Sequence, residues 1–126
     1  KAKEKTNNII IDFHAEATSE KEALGYYLDG KVTAVLGTHT HIQTADERIL
    51  PQGTAYITDV GRTGAINAVL GLDKDASIAR FTLPPDIKKP PFKVAEGKGQ
   101  LCAVVIKIDE ENGRAEEIVR ICKSGR

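Results

Sequence analysis

Three histidines in the first third of the chain are its densest concentration of chemistry. His14 closes the run Ile9-Ile10-Ile11-Asp12-Phe13-His14, His39 and His41 sit in Gly37-Thr38-His39-Thr40-His41, and no histidine follows. Imidazole is the commonest metal ligand and the one side chain whose unperturbed titration falls near neutral pH. Two histidines one residue apart, joined in space by a third, can hold one catalytic zinc with water in the fourth position. A two-metal hydrolase needs more, because a bridging carboxylate must hold the ions about 3.5–4 Å apart. The local carboxylates are Asp12, Glu16, Asp46 and Glu47. By strand alternation Asp12 shares a face with His14, where it would be either a ligand or an acceptor that orients an imidazole. Each of the four could equally be solvated or capping, and for Glu47 the solvated reading is preferred.

These residues need elements to position them. Residues 8–13 form a β-branched apolar run, expected as a strand buried on both faces. Ser19 with Glu22 fits a capping box, and Ala23, Leu24, Tyr27 and Leu28 then give a helix its apolar face, stopped at Asp29-Gly30. Residues 32–36 make a second buried strand that leads into Gly37 and the His-Thr-His segment. Strand, helix and strand within about 30 residues is a βαβ unit, with parallel strands and a right-handed crossover. The C-terminal ends of both strands then share one sheet edge, where open α/β sheets bind ligands. If the backbone stays extended, the period of two points His39 and His41 to the same side. Three imidazoles would converge.

Beyond this unit the pattern turns toward β structure. Residues 48–50, 54–59 and 78–83 are short strand candidates, and 101–108 with 115–122 form a hairpin about Glu110-Glu111-Asn112-Gly113. Residues 62–73 suggest a short helix with a Gly-rich entrance, and 84–99, rich in proline and lysine, a long surface loop. Thr38 and Thr40 are candidates to hydrogen-bond a phosphate, or else to satisfy the loop backbone. Asp59-Val60-Gly61-Arg62-Thr63-Gly64 is either an oxyanion-binding turn, with Arg62 as a planar fork, or a plain turn. Lys88, Lys89 and Lys93 belong to the solvated loop.

Bulk composition narrows the field further. The 126 residues are 40% hydrophobic and 29% charged, enough for a buried core and unlike a disordered chain. Eighteen basic and eighteen acidic residues cancel, which argues against a generic nucleic-acid or membrane surface. No segment has the roughly 18 apolar residues of a membrane span. Cys102 and Cys122, far from the histidines, are expected as reduced and mostly buried thiols of a cytoplasmic protein. The chain lacks Met and opens Lys1-Ala2-Lys3-Glu4-Lys5, which suggests a piece of a longer protein.

The segment 37–41 resembles the closing metal-binding segment of calcineurin-like metallophosphoesterases. The longer strings 12–21, 37–48 and 54–61 resemble the C-terminal half of the YmdB-like family of bacterial phosphodiesterases. That resemblance implies an α/β fold with the mixed sheet of an αββα sandwich, residues 1–126 forming the C-terminal half of a single metallophosphoesterase domain. It implies two divalent ions, iron or manganese being usual and zinc or magnesium alternatives, with His14 and His39 on one ion and His41 on the other. The implied reaction is hydrolysis of phosphodiesters such as 2′,3′-cyclic nucleotides by a metal-bridging hydroxide that attacks in line. The family's aspartate, bridging glutamate, two asparagines and leaving-group histidine belong to the N-terminal half and are not among these residues. The fragment alone is therefore expected to be inactive, to hold one ion weakly, and to self-associate through its exposed sheet edge. The chain departs from the family's Met-Thr-Gly-Pro, carrying Arg62-Thr63-Gly64-Ala65. Two rivals stand beside this reading: a mononuclear His-liganded hydrolase complete in these residues, and a non-catalytic metal- or nucleotide-sensing module.

Overall fold

The apolar run before His14 forms strand β1 (Ile10–His14), followed by helix α1 (Thr18–Leu28) and strand β2 (Ala34–Thr38) in a computed structural model that describes residues 2–125. β1 and β2 pair in parallel, with His14 opposite Thr38, as a βαβ unit requires. Strand β3 (Arg48–Ile49) and strand β4 (Ala55–Ile57) complete a four-stranded sheet in the order β1-β2-β4-β3. β4 runs parallel to β2 and β3 antiparallel to β4, so the expected mixed sheet is what forms. β1 is an edge strand and is not buried on both faces: Ile10, Asp12 and His14 alternate outward while Ile11 and Phe13 turn in.

Helix α1 starts one residue before Ser19, with Ala17 at its N-cap and no side-chain cap, so the expected capping box does not form. Its inward face is Lys21, Leu24, Gly25 and Leu28, whereas Ala23 and Tyr27 are exposed. The stripe is rotated because Gly25 lies against the ring of Tyr56, which leaves no space for a larger residue there. Leu24 and Leu28 join Ile11, Phe13 and Val32 around buried Val35, Leu50 and Tyr56. Burial of each such large side chain stabilises by about 1.5–3 kcal/mol.

Strands β6 (Gly99–Ile108) and β7 (Ala115–Ser124) form the expected hairpin, extended by two residues at each free end. Ile106 and Ile118 from it pack on Leu36 and Ile49 around buried Ala34, Ala55 and Ala115. The first sheet is thus covered by α1 on one face and by the hairpin on the other. This layer stack belongs to one of two compact units, Lys1–Gly61 with Cys102–Ile121.

The second unit comprises Arg62–Leu101 and Cys122–Arg126. Here strand β5 (Gly64–Ala65) pairs antiparallel with the start of β6, and helix α2 spans Lys74–Thr82. Two expectations are corrected. Residues 78–82 are helical and Leu83 is the C-cap, so 78–83 is not a strand; Asp73 caps the helix by accepting a 2.8 Å hydrogen bond from the Ala76 N–H. Residues 62–73 hold no helix: Val69 bridges Leu72 across Leu70 and Gly71, both at positive φ, a turn no helix can contain. Residues 84–98 form no named helix or strand, in keeping with a surface loop. Cys102 is buried but Cys122 is exposed, since the last residues of β7 face outward. Among the described residues no helix is long and apolar enough to cross a membrane.

Candidate functional site

The parallel pairing of β1 and β2 puts their C-terminal ends side by side, and the site begins there. Nδ1 of His14 lies 3.1 Å from Oγ1 of Thr38, whose hydroxyl donates to Oδ1 of Asp12 at 3.4 Å. A hydroxyl has one proton. When Thr38 gives it to the acceptor-only carboxylate, its oxygen must accept from His14 Nδ1–H. His14 Nε2 then keeps its lone pair, and it lies 3.2 Å from Nδ1 of His39. The two rings meet edge to face with centroids 5.0 Å apart.

With that lone pair as acceptor, the contact is a ring-to-ring hydrogen bond from His39 Nδ1–H. Its length would also let both rings reach one ion if that proton were lost. Two imidazole nitrogens about 2.1 Å from one ion and subtending about 100° would stand about 3.2 Å apart. Neutral imidazoles favour transition metals, and the Asp12–Thr38–His14 relay orients the ring as carboxylate partners of metal-bound histidines do. Among the described residues no three His, Cys, Asp or Glu side chains come together as a metal-holding group. His14 and His39 are a pair.

His41 is set apart from them by the backbone. β2 ends at Thr38, and His39 and His41 have φ of 131° and 65°. The chain is therefore not extended through the His-Thr-His segment, and the alternation that would point both rings one way does not apply. Non-glycine residues adopt such positive φ only when their surroundings impose it.

Asp59 supplies those surroundings. Its Oδ2 accepts hydrogen bonds from the Thr40 N–H at 2.7 Å and the Thr40 hydroxyl at 2.8 Å, and its Oδ1 accepts from the Gly61 N–H at 2.8 Å. Lys21 Nζ, from the first turn of α1, stands 3.5 Å from Oδ2, and both side chains are 1% exposed. Burial alone would raise the Asp59 carboxyl. The bonds from Gly61 and Thr40, with the Lys21 charge, outweigh it and hold the group below the ordinary carboxylate value of 3.8. Gly37 makes the approach feasible: a Cβ there would fall 1.8 Å from the Thr58 carbonyl oxygen. Lys21 did not stand out in the sequence, and Asp59 did so only as the start of the turn 59–64. The available signal was a lysine spaced three, four and seven residues from Leu24, Gly25 and Leu28.

The remaining candidates are engaged elsewhere. Thr38 and Thr40 both spend their hydroxyls within the chain, on the histidine relay and on Asp59. Arg62, in the second unit, turns back to donate from Nη1 to the Ala65 carbonyl. Asp46 accepts from Thr44 and from the N–H and hydroxyl of Thr58, and these bonds overcome burial to lower its carboxyl. Glu47 is not simply solvated, because Arg120 Nε pairs with it at 3.2 Å. Glu16 is exposed in the loop after His14.

The sequence pattern of the family described as YmdB-like protein matches residues 1–121. The chain belongs to the YmdB-like family. This YmdB-like chain is 57% identical over 120 residues to the 2′,3′-cyclic-nucleotide 2′-phosphodiesterase of Bacillus subtilis (strain 168), covering 95% of this chain and 44% of that protein. A protein of Thermus thermophilus, described as hypothetical, has a crystal structure that superposes with a TM-score of 0.86 at 41% identity, over 99% of this chain and 48% of that one. A novel phosphatase of Mycoplasma pneumoniae superposes with a TM-score of 0.85 at 38% identity, over 98% and 43% respectively. The YmdB-like chain therefore spans less than half the length of each of these relatives. The mixed α/β architecture and the family expected from residues 12–21, 37–48 and 54–61 are both as read from the sequence.

Proposed function

We propose that this YmdB-like chain is part of a metal-dependent phosphodiesterase acting on phosphodiesters such as 2′,3′-cyclic nucleotides. The observation that carries the reading is the His14–His39 pair, 3.2 Å apart at the shared sheet edge, in a chain 57% identical to a protein named for that activity. In this reading His14 Nε2 and His39 hold one divalent transition-metal ion and His41 contributes to a second, iron or manganese being the favoured pair. When bound, the ions supply Lewis acidity at the phosphoryl group and near-neutral acidity for the attacking water. The chain's own residues do the positioning. Asp12 and Thr38 fix the His14 tautomer, and the neutral imidazoles leave the metal charge available to an anionic substrate. In this reading the general acid is supplied from outside these residues, and the 126-residue chain alone would not turn over the substrate.

The test is metal analysis and intact mass on the protein as its source makes it, with hydrolysis of 2′,3′-cyclic AMP followed in the same sample. Two transition-metal ions per chain and product release, both lost in H39A, are expected. A metal-loaded native protein that leaves the cyclic phosphodiester intact would overturn the proposal.

A further inference from the structure

Asp59 touches three segments: the His39–His41 loop through Thr40, the turn at Gly61, and the first turn of α1 through Lys21. α1 itself begins four residues after His14, so the end of β1 and the His39–His41 loop are both linked to one buried carboxylate. We infer that Asp59, anchored by Lys21, is a positioning residue that sets the His39-Thr40-His41 loop for metal binding, an inference that rests on the metal reading above. Two of its hydrogen bonds grip Thr40, the residue between the two histidines at positive φ. Lys21, buried with Asp59 and 3.5 Å from its Oδ2, adds a cation beside the carboxylate and helps to fix it in place. Neither residue touches the ion in this arrangement. They act through the ligands, as partners behind metal-bound histidines do, and loss of such partners typically weakens metal affinity 10–100-fold.

The test compares the full chain with T40V, D59N and the double variant K21M/D59L. Amide hydrogen exchange at residues 39–42 is measured without metal, and Mn(II) affinity is measured by calorimetry. The expected result is exchange at least tenfold faster at residues 39–42 in all three, with Mn(II) bound 10–100-fold more weakly. K21M/D59L serves to separate positioning from bulk stability. Replacing a buried ion pair by apolar groups can restore the fold that D59N weakens, yet it supplies no acceptor for Thr40. Wild-type exchange in T40V and in K21M/D59L would overturn the inference. T40V decides alone if a core variant does not fold, because Thr40 lies at the exposed surface. A wild-type chain that binds no Mn(II) would overturn the metal reading, while the exchange comparison still settles what Asp59 does to the loop.

Discussion

Gly37→Ala is the substitution to which this site should be most sensitive. A Cβ at position 37 would lie 1.8 Å from the Thr58 carbonyl oxygen, 2.7 Å from its carbonyl carbon and 3.0 Å from Cδ of Lys21. Ordinary carbon–oxygen contact is about 3.2 Å or more, so the 58–60 backbone must retreat by over 1 Å, because close-packed interiors have no slack to absorb it. That retreat breaks the 2.9 Å hydrogen bond from the Val60 N–H to the Gly37 carbonyl and loosens Asp59. Overpacking costs about 1–3 kcal/mol and a lost buried hydrogen bond about 1–3 more. The expected loss is about 2–6 kcal/mol, which for a domain of this size lowers Tm by roughly 8–25 °C. Thermal unfolding followed by circular dichroism measures it, with Gly99→Ala as control, since a Cβ there meets nothing within 4 Å. A Tm for G37A within about 3 °C of wild type would refute the close-approach argument.

Three further outcomes follow from the same contacts. Asp46 and Asp59 have carboxyls lowered from 3.8 by their hydrogen bonds, so their stabilisation is fully present above that value and fades as pH falls below it. Urea midpoints taken between pH 6 and pH 3 should drop with acid, and a D46N profile as steep as wild type would remove Asp46 from the account. Gln43 Nε2 shares its two N–H groups among the carbonyls of Val60, Ala103 and Ile121, all within 3.2 Å. Q43A strands these acceptors and should cost about 2–3 kcal/mol in urea unfolding, whereas an unchanged midpoint would show that water replaces the amide. T38V cuts the relay from Asp12 to His14 and should weaken Mn(II) binding about tenfold by calorimetry. Wild-type affinity there would show that His14 needs no orienting partner.

The position of His14 was legible because it depends on local pattern and handedness. An apolar run, a helix and a second run make a parallel pair, and the pair brings His14 opposite Thr38. His39 and His41 were legible as residues but not as geometry. Period-two reasoning holds only for extended chain, and the strand stops one residue before His39. Lys21 was hidden for a different reason. A lysine on a helix is read as solvent-facing unless its partner is known, and that partner, Asp59, lies 38 positions along the chain. For α2, a cap formed by one aspartate outweighed an approximate alternation over six residues.

The buried Lys21–Asp59 pair and the positive-φ histidines are best understood together. A buried ion pair contributes little net stability, because desolvation of both charges offsets their attraction. Residues held in sparsely populated backbone regions cost about 1–3 kcal/mol each and persist only where neighbours over-determine them. Hydrogen bonds to a charged acceptor are worth about 1.5–3 kcal/mol each, and Asp59 directs two of them at Thr40. The two bonds are therefore commensurate with the strain of two histidines at φ of 131° and 65°. An apolar pair at 21 and 59 would serve the core as well, but it would let the loop relax to ordinary backbone angles. What the charge adds is a particular shape for the segment that carries the histidines, held by two bonds that an apolar pair could not replace.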